Sequence, residues 1–252
     1  CLFSSPQRPR SGCRSFNTSR VWPSGLSLRR SKSMKKNWWK ILSVLILTYV
    51  IFQGLLGKVP RQPILNESIR NVYLHVPLWF GMITLLLTSA VYSVRYLRSG
   101  RVDDDLVAVE FANTAILFGL LGCATGSLWA NFTWNDPWPN DPKLNSVAVG
   151  MLMYMAYLIL RGSFDDEQRR SRISAVYNIF AFAVFVPLIF IGPRLTDSLH
   201  PGNGGNPAFG TYDMDNYVRR GFDPAVIGFT LLGVWITELR VRLRRIKVIL
   251  DD

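Results

Sequence analysis

Two histidines, His75 and His200, are the only imidazoles in the 252 residues. Three of the eight tryptophans, Trp129, Trp134 and Trp138, fall within ten positions. The stretch that carries them, 125–146, reads TGSLWANFTWNDPWPNDPKLNS and also holds Asp141. Imidazole is a standard axial ligand of haem iron, and two of them give a six-coordinate, low-spin site that holds the porphyrin without activating oxygen. Indole rings stack on or edge against a flat apolar ligand of that kind. Zinc is the rival metal, but it takes about four ligands, so Asp141 or Asp197 would have to complete a two-histidine site. Taken singly, each histidine also fits a polar anchor at a membrane boundary. The stronger reading needs both histidines and the tryptophan stretch on one face.

Six apolar segments could position them: 38–56, 72–97, 106–128, 147–160, 174–191 and 225–239. A membrane-spanning helix needs about 20 residues. The fourth and sixth segments fall short and must borrow flanking polar residues. The fold class expected is an all-α integral membrane protein of six transmembrane helices. The stretch 125–146, rich in Pro and Asn, reads as a loop between the third and fourth.

Charge orients the spans. One side holds fifteen basic residues: Lys35, Lys36, Lys40, Arg95, Arg98, Arg101, Arg161, Arg169, Arg170, Arg172, Arg240, Arg242, Arg244, Arg245 and Lys247. The other holds seven over longer loops: Lys58, Arg61, Arg70, Lys143, Arg194, Arg219 and Arg220. The positive-inside bias puts both termini in the cytoplasm. The outer loops are then 57–72, 129–146 and 192–224, so His75, His200 and the tryptophans converge on the outer face. The acid runs Asp103–Asp105 and Asp165–Glu167 fall in inner loops, where they read as solvated caps at helix N-termini.

This distribution accounts for the net charge of +12 without nucleic acid, leaving the lipid bilayer as the partner it implies. Three cysteines, Cys1, Cys13 and Cys123, form no CxxC and no CxxCH, which argues against a disulfide framework, a zinc ribbon and covalent c-type haem attachment. Residues 1–33 carry seven basic residues and no acidic one. They read as a disordered basic tail foreign to the native protein, with Met34 as its start. The rival reading is an organellar transit peptide, which would place the protein in the mitochondrial inner membrane. Residues 34–250 form the membrane domain.

Several motifs resemble one family of haem-handling membrane proteins, that of cytochrome c maturation protein C, also called heme exporter protein C. YLHVP at 73–77 resembles its first histidine motif. TGSLW at 125–129, followed by Trp134, Trp138 and the run Asp141-Pro142-Lys143-Leu144, resembles its tryptophan-rich signature loop. FDD at 164–166 resembles an inner loop, and LHPG at 199–202 the second histidine motif. The resemblance implies that His75 and His200 are axial ligands of a transient, non-covalent haem b. It also implies that Trp129, Trp134, Trp138 and Asp141 belong to a haem-presenting loop. The location implied is the periplasmic face of a bacterial inner membrane. The partners implied are a periplasmic haem chaperone of the cytochrome c maturation protein E type, ATP-binding cassette transporter subunits and a small single-span accessory protein. The loop departs from the family in Pro137 and Asn140, where more aromatics are expected, and in Lys143, where arginine is usual.

Haem propionates want cationic partners. Arg70, Lys143, Arg194, Arg219 and Arg220 are the outer candidates, and Arg219 and Arg220 are favoured because they lie in the histidine-bearing loop. Asn203–Asn206, with glycines nearby, would let His200 move. Three other functions compete. A membrane b-type cytochrome would carry electrons, but crossing a membrane generally takes two haems and four ligands. A haem-attaching synthase would be larger, with more histidines. A non-haem transporter would line its pathway with ionisable residues, for which Glu110 and Glu238 are the main acidic candidates. The expectation is a haem carrier rather than an enzyme.

Overall fold

The structure, a computed structural model, describes residues 37–59, 65–200 and 214–251. The segments 1–33 and 203–206 lie outside the described residues, so the expectations attached to them find no counterpart here. Every regular element among the described residues is helical. Helix α1 spans Trp38–Leu56, and a 3-10 turn, Asn66–Asn71, leads into α2, Val72–Ser99. Then follow α3, Val102–Trp134, α4, Pro142–Gly162, α5, Glu167–Phe190, and α6, Asn216–Asp251.

Local chemistry fixes the helix ends. Gly100 closes α2 and Asn135 closes α3, both left-handed, at φ 67° and 57°. Asp141 opens α4: its side chain accepts the N–H groups of Lys143 and Leu144, and Pro142 occupies the first turn. Asp166 caps α5 through the N–H of Arg169, as the inner acid run led us to expect. Asp215 accepts the N–H of Tyr217 at 2.7 Å where α6 begins.

Two expected loops shrink. Of the stretch 125–146, residues up to Trp134 continue α3 and those from Pro142 open α4, leaving only 135–141 as connection. No proline interrupts α3 before Pro137, and one glycine at 126 does not break a helix that packs along its length. Residues 216–224, read as loop, are the first turns of α6.

Five helices are long and apolar enough to cross a membrane: Asn66–Ser99, Val102–Trp134, Pro142–Gly162, Glu167–Arg194 and Asn216–Leu250. Trp38–Gly54 is a shorter apolar helix. The short fourth and sixth apolar segments are completed by flanking polar turns, as expected. At about 1.5 Å per residue, the 33 residues of α3 reach about 50 Å, well beyond the roughly 30 Å apolar layer of a bilayer.

Helix α2 packs along α3 and also touches α5 and α6; α1 leans on α6, and α4 on α5. The main core joins Met82, Leu85 and Leu86 of α2, Phe118 of α3, Tyr154 of α4 and Phe185 of α5. Small residues let the backbones approach. A methyl on Gly119 would lie 2.5 Å from the Met151 sulfur and 2.8 Å from that of Met82.

The inner acid run at α3 is a correction. Asp104 and Asp105 are 2 % and 6 % exposed, not solvated. Arg161 at the end of α4 and Ser171 of α5 reach the first turn of α3. There Asp105 accepts both guanidinium nitrogens of Arg161, at 2.9 and 2.5 Å, and the Ser171 hydroxyl at 2.8 Å. Glu110 is likewise buried and meets Arg240 at 2.7 Å. Ion pairs of this kind satisfy charge inside an apolar layer.

Candidate functional site

A cavity of about 450 Å³ opens among the start of α2, the end of α3 and the start of α4, within the size range of ligand sites. Its walls include His75, His200, Trp129, Trp134, Trp138, Lys143 and Arg194. The elements come from four places: α2 brings His75, α3 brings Trp129 and Trp134, the 135–141 connection brings Trp138, and the segment after α5 brings His200.

His75 sits one turn inside α2, against α3. Its Nδ1 lies 3.1 Å from the Gly122 carbonyl and 3.2 Å from the Thr125 hydroxyl. A carbonyl only accepts, so Nδ1 carries the proton and the Nε2 lone pair is left for a metal. The ring meets Trp129 edge-on at 5.8 Å and Trp79 at 6.3 Å between centroids. Trp79 follows His75 by one helical turn, and both line the cavity. The glycines of α3 make room: a methyl on Gly122 would lie 2.8 Å from the Trp79 ring, and one on Gly126 2.6 Å from His75 Cε1. Trp129 is fixed in turn by its indole N–H, which donates to Ser68 at 3.1 Å.

His200 is held by Asp141. Its Nδ1 lies 3.2 Å from Asp141 Oδ1. The other carboxylate oxygen accepts the Leu199 N–H at 2.6 Å and the Ser198 hydroxyl at 2.9 Å. One carboxylate, 1 % exposed, thus joins the start of α4 to the segment 198–200. Burial pushes the Asp141 carboxyl up, but the Leu199 N–H, the Ser198 hydroxyl and His200 outweigh it, so the group titrates below its ordinary value. Burial and the Lys143 ammonium hold His200 down at about 4, against the pull of Asp141. The contact is therefore a neutral imidazole N–H donating to a carboxylate, not an ion pair, and Nε2 again keeps its lone pair. Trp134 meets the His200 ring at 5.3 Å.

The sequence brought His75, His200, the three tryptophans and Asp141 to one face, and here they surround or support one cavity. Arg219 and Arg220 do not join them. They lie in the first turns of α6, and among the described residues the cations that line the cavity are Lys143 and Arg194. Trp79 and Gly126 were missed. The i, i+4 spacing of His75 and Trp79 was the available signal, but it also fits a core stripe. Among the described residues, no cluster of three or more His, Cys, Asp or Glu could hold a bare metal ion, which leaves the zinc alternative without its extra ligands. The donor set, two imidazoles among indoles with cations at the wall, fits an iron porphyrin.

The chain is similar to several known proteins. It is 26% identical over 205 residues to heme exporter protein C of Escherichia coli strain K12, covering 81% of each chain. It is 27% identical over 164 residues to heme exporter protein C of Bradyrhizobium diazoefficiens, covering 65% of this chain and 61% of that one. It is also similar to cytochrome c biogenesis protein CcsA of Pelargonium hortorum, 28% identical over 136 residues, 53% of this chain and 41% of that one. The model of the family described as heme exporter protein C matches residues 24–249, and the chain belongs to that family.

Proposed function

We propose that this protein binds haem b transiently and non-covalently between His75 and His200 and presents it for the assembly of c-type cytochromes. The observation that carries the reading is the matched state of the two imidazoles. Both line one cavity, and each has Nδ1 committed to a fixed acceptor, leaving Nε2 for iron. Haem supplies the iron and the flat apolar face. This chain supplies two axial nitrogens, the indole edges of Trp129 and Trp134, and the cations Lys143 and Arg194 for the propionates.

In this reading the chain crosses a bacterial inner membrane six times, with α1 as the sixth span and both termini cytoplasmic. The basic bias of the inner loops supports that orientation. The cavity then faces the periplasm, and Trp138 and Phe132, 38 % and 78 % exposed, offer an aromatic rim to a membrane-anchored haem chaperone. ATP-binding cassette subunits and a small single-span protein complete the system. A b-type cytochrome remains the rival. With only two histidines in the chain, a second bis-histidine haem has no ligands.

The test is the optical spectrum of the purified protein, with the haem load of the protein and of its chaperone. A low-spin bis-imidazole spectrum is expected, lost in His75→Ala and His200→Ala together with the chaperone's load. Wild-type loads in both variants would sink the ligand assignment. Haem reduced by quinol, with no transfer to the chaperone, would favour the cytochrome.

A further inference from the structure

The two imidazoles have different backing. His75 Nδ1 donates to a neutral partner, the Gly122 carbonyl at 3.1 Å, with the Thr125 hydroxyl at 3.2 Å. His200 Nδ1 donates to a carboxylate, Asp141 Oδ1, at 3.2 Å. That carboxylate is almost wholly enclosed, and it is held in one orientation by four further donors. The Lys143 N–H at 2.9 Å and the Leu144 N–H at 3.3 Å reach Oδ1; the Ser198 hydroxyl at 2.9 Å and the Leu199 N–H at 2.6 Å reach Oδ2. These donors fix it beside the ring.

A charge behind Nδ1 raises the basicity of Nε2, because it gives the ring partial imidazolate character. A peptide carbonyl does so less. An anionic backing also favours ferric over ferrous iron. We infer that Asp141 makes the two axial ligands unequal: His200 is the strong ligand, retained longest, and His75 is the weak ligand, given up first when haem leaves. This rests on the haem reading above and adds to it a direction of release. Asp141 is a positioning residue here, since it acts on the iron through His200.

The asymmetry has a physical use. A carrier must hold its cargo and then let it go. Two equally strong imidazoles would resist transfer, while one strong and one weak ligand lets an incoming ligand of the acceptor take the His75 side as His200 holds the iron.

Two experiments on the full chain test it. The first is a redox titration of bound haem in wild type and Asp141→Asn, repeated with His200→Met, whose thioether can ligate iron but has no N–H for Asp141. Asp141→Asn should raise the midpoint potential and weaken haem binding roughly tenfold to a hundredfold. In the His200→Met background it should leave the potential unmoved. A potential unchanged in Asp141→Asn, or an equal shift in both backgrounds, overturns the inference. The second experiment needs no change at Asp141. Carbon monoxide added to the ferrous protein displaces the weaker ligand, and the Fe–CO stretch in resonance Raman reports the ligand that stays. The wild-type signal should match that of His75→Ala reconstituted with excess haem; a match to His200→Ala prepared the same way overturns the inference. A wild-type protein that takes up no haem overturns the functional reading and this inference together. Bis-imidazole haem with equal ligands overturns only this one.

Discussion

Gly126 and His75 are in contact across the α2–α3 seam: a methyl group on Gly126 would stand 2.6 Å from His75 Cε1 and 3.2 Å from Nδ1. The glycine is helical, so no unusual backbone angle calls for it; the space does. Gly126→Ala should therefore push the ring from the Gly122 carbonyl and cost about 1–3 kcal/mol of stability, as overpacking does. Haem content per protein should fall while the helical signal in circular dichroism stays. Full haem content would mean that His75 is not seated where its ligand role requires.

Trp134 lies edge-on to His200 at 5.3 Å and is half-buried at the end of α3, with little of the core resting on it. Trp134→Ala should leave expression near wild type and lower haem delivery to the chaperone, read from the chaperone's haem stain. Trp129→Phe should be milder, since only the Ser68 hydrogen bond at 3.1 Å is lost, worth about 1 kcal/mol. Equal loss in both would argue that the tryptophans act through folding alone.

Much of this site was legible from residue types. Charge asymmetry brought His75, His200 and the tryptophans to one face before any helix was drawn, because basic residues sort by side of the membrane. The extent of α3 was not legible. Asn131, Asn135 and the tryptophans look loop-like in composition, yet composition does not end a helix; Asn135 does so by taking φ 57°. The burial of Asp105 was hidden for a different reason. An acid at the start of a helix suits the dipole whether solvated or paired, and only tertiary packing brings Arg161 to it. Gly126 was visible in the TGSLW motif, but the ring it accommodates is 51 residues away in sequence.

Arg161→Met should be among the most damaging changes far from the cavity. It would leave the Asp105 carboxylate enclosed with only Ser171 as partner, at a cost of roughly 3–5 kcal/mol. Asp105→Asn combined with Arg161→Met should recover a large part of that loss, because the uncompensated charge goes. Thermal aggregation in detergent measures both. Additive losses in the double variant would show that the two residues act independently.

The haem-free protein should lose stability in acid through His200. Its folded-state value of about 4 lies below the ordinary 6.5, so the unfolded chain takes up the proton first. Stability from this group is complete above about 6.5 and is lost as pH falls through that value toward 4. Melting temperature against pH should show this slope, and His200→Ala should make it shallower. An unchanged slope in the variant would assign the acid sensitivity to other groups.

The cations separate two placements of the propionates. Position in the chain favoured Arg219 and Arg220, yet Lys143 and Arg194 are the ones at the cavity wall. A charged hydrogen bond to a carboxylate is worth about 1.5–3 kcal/mol, so losing one should weaken haem binding at least tenfold. Lys143→Ala and Arg194→Ala should do so; Arg219→Ala and Arg220→Ala, outside the cavity wall, should change binding by less than about threefold. Haem titration of each purified variant at two salt concentrations measures this. The Lys143 loss should persist in high salt better than the Arg194 loss, because Lys143 is half-buried and Arg194 exposed, and exposed pairs are screened more strongly. The reverse ranking would move the propionates to the start of α6 and turn the haem plane toward that helix.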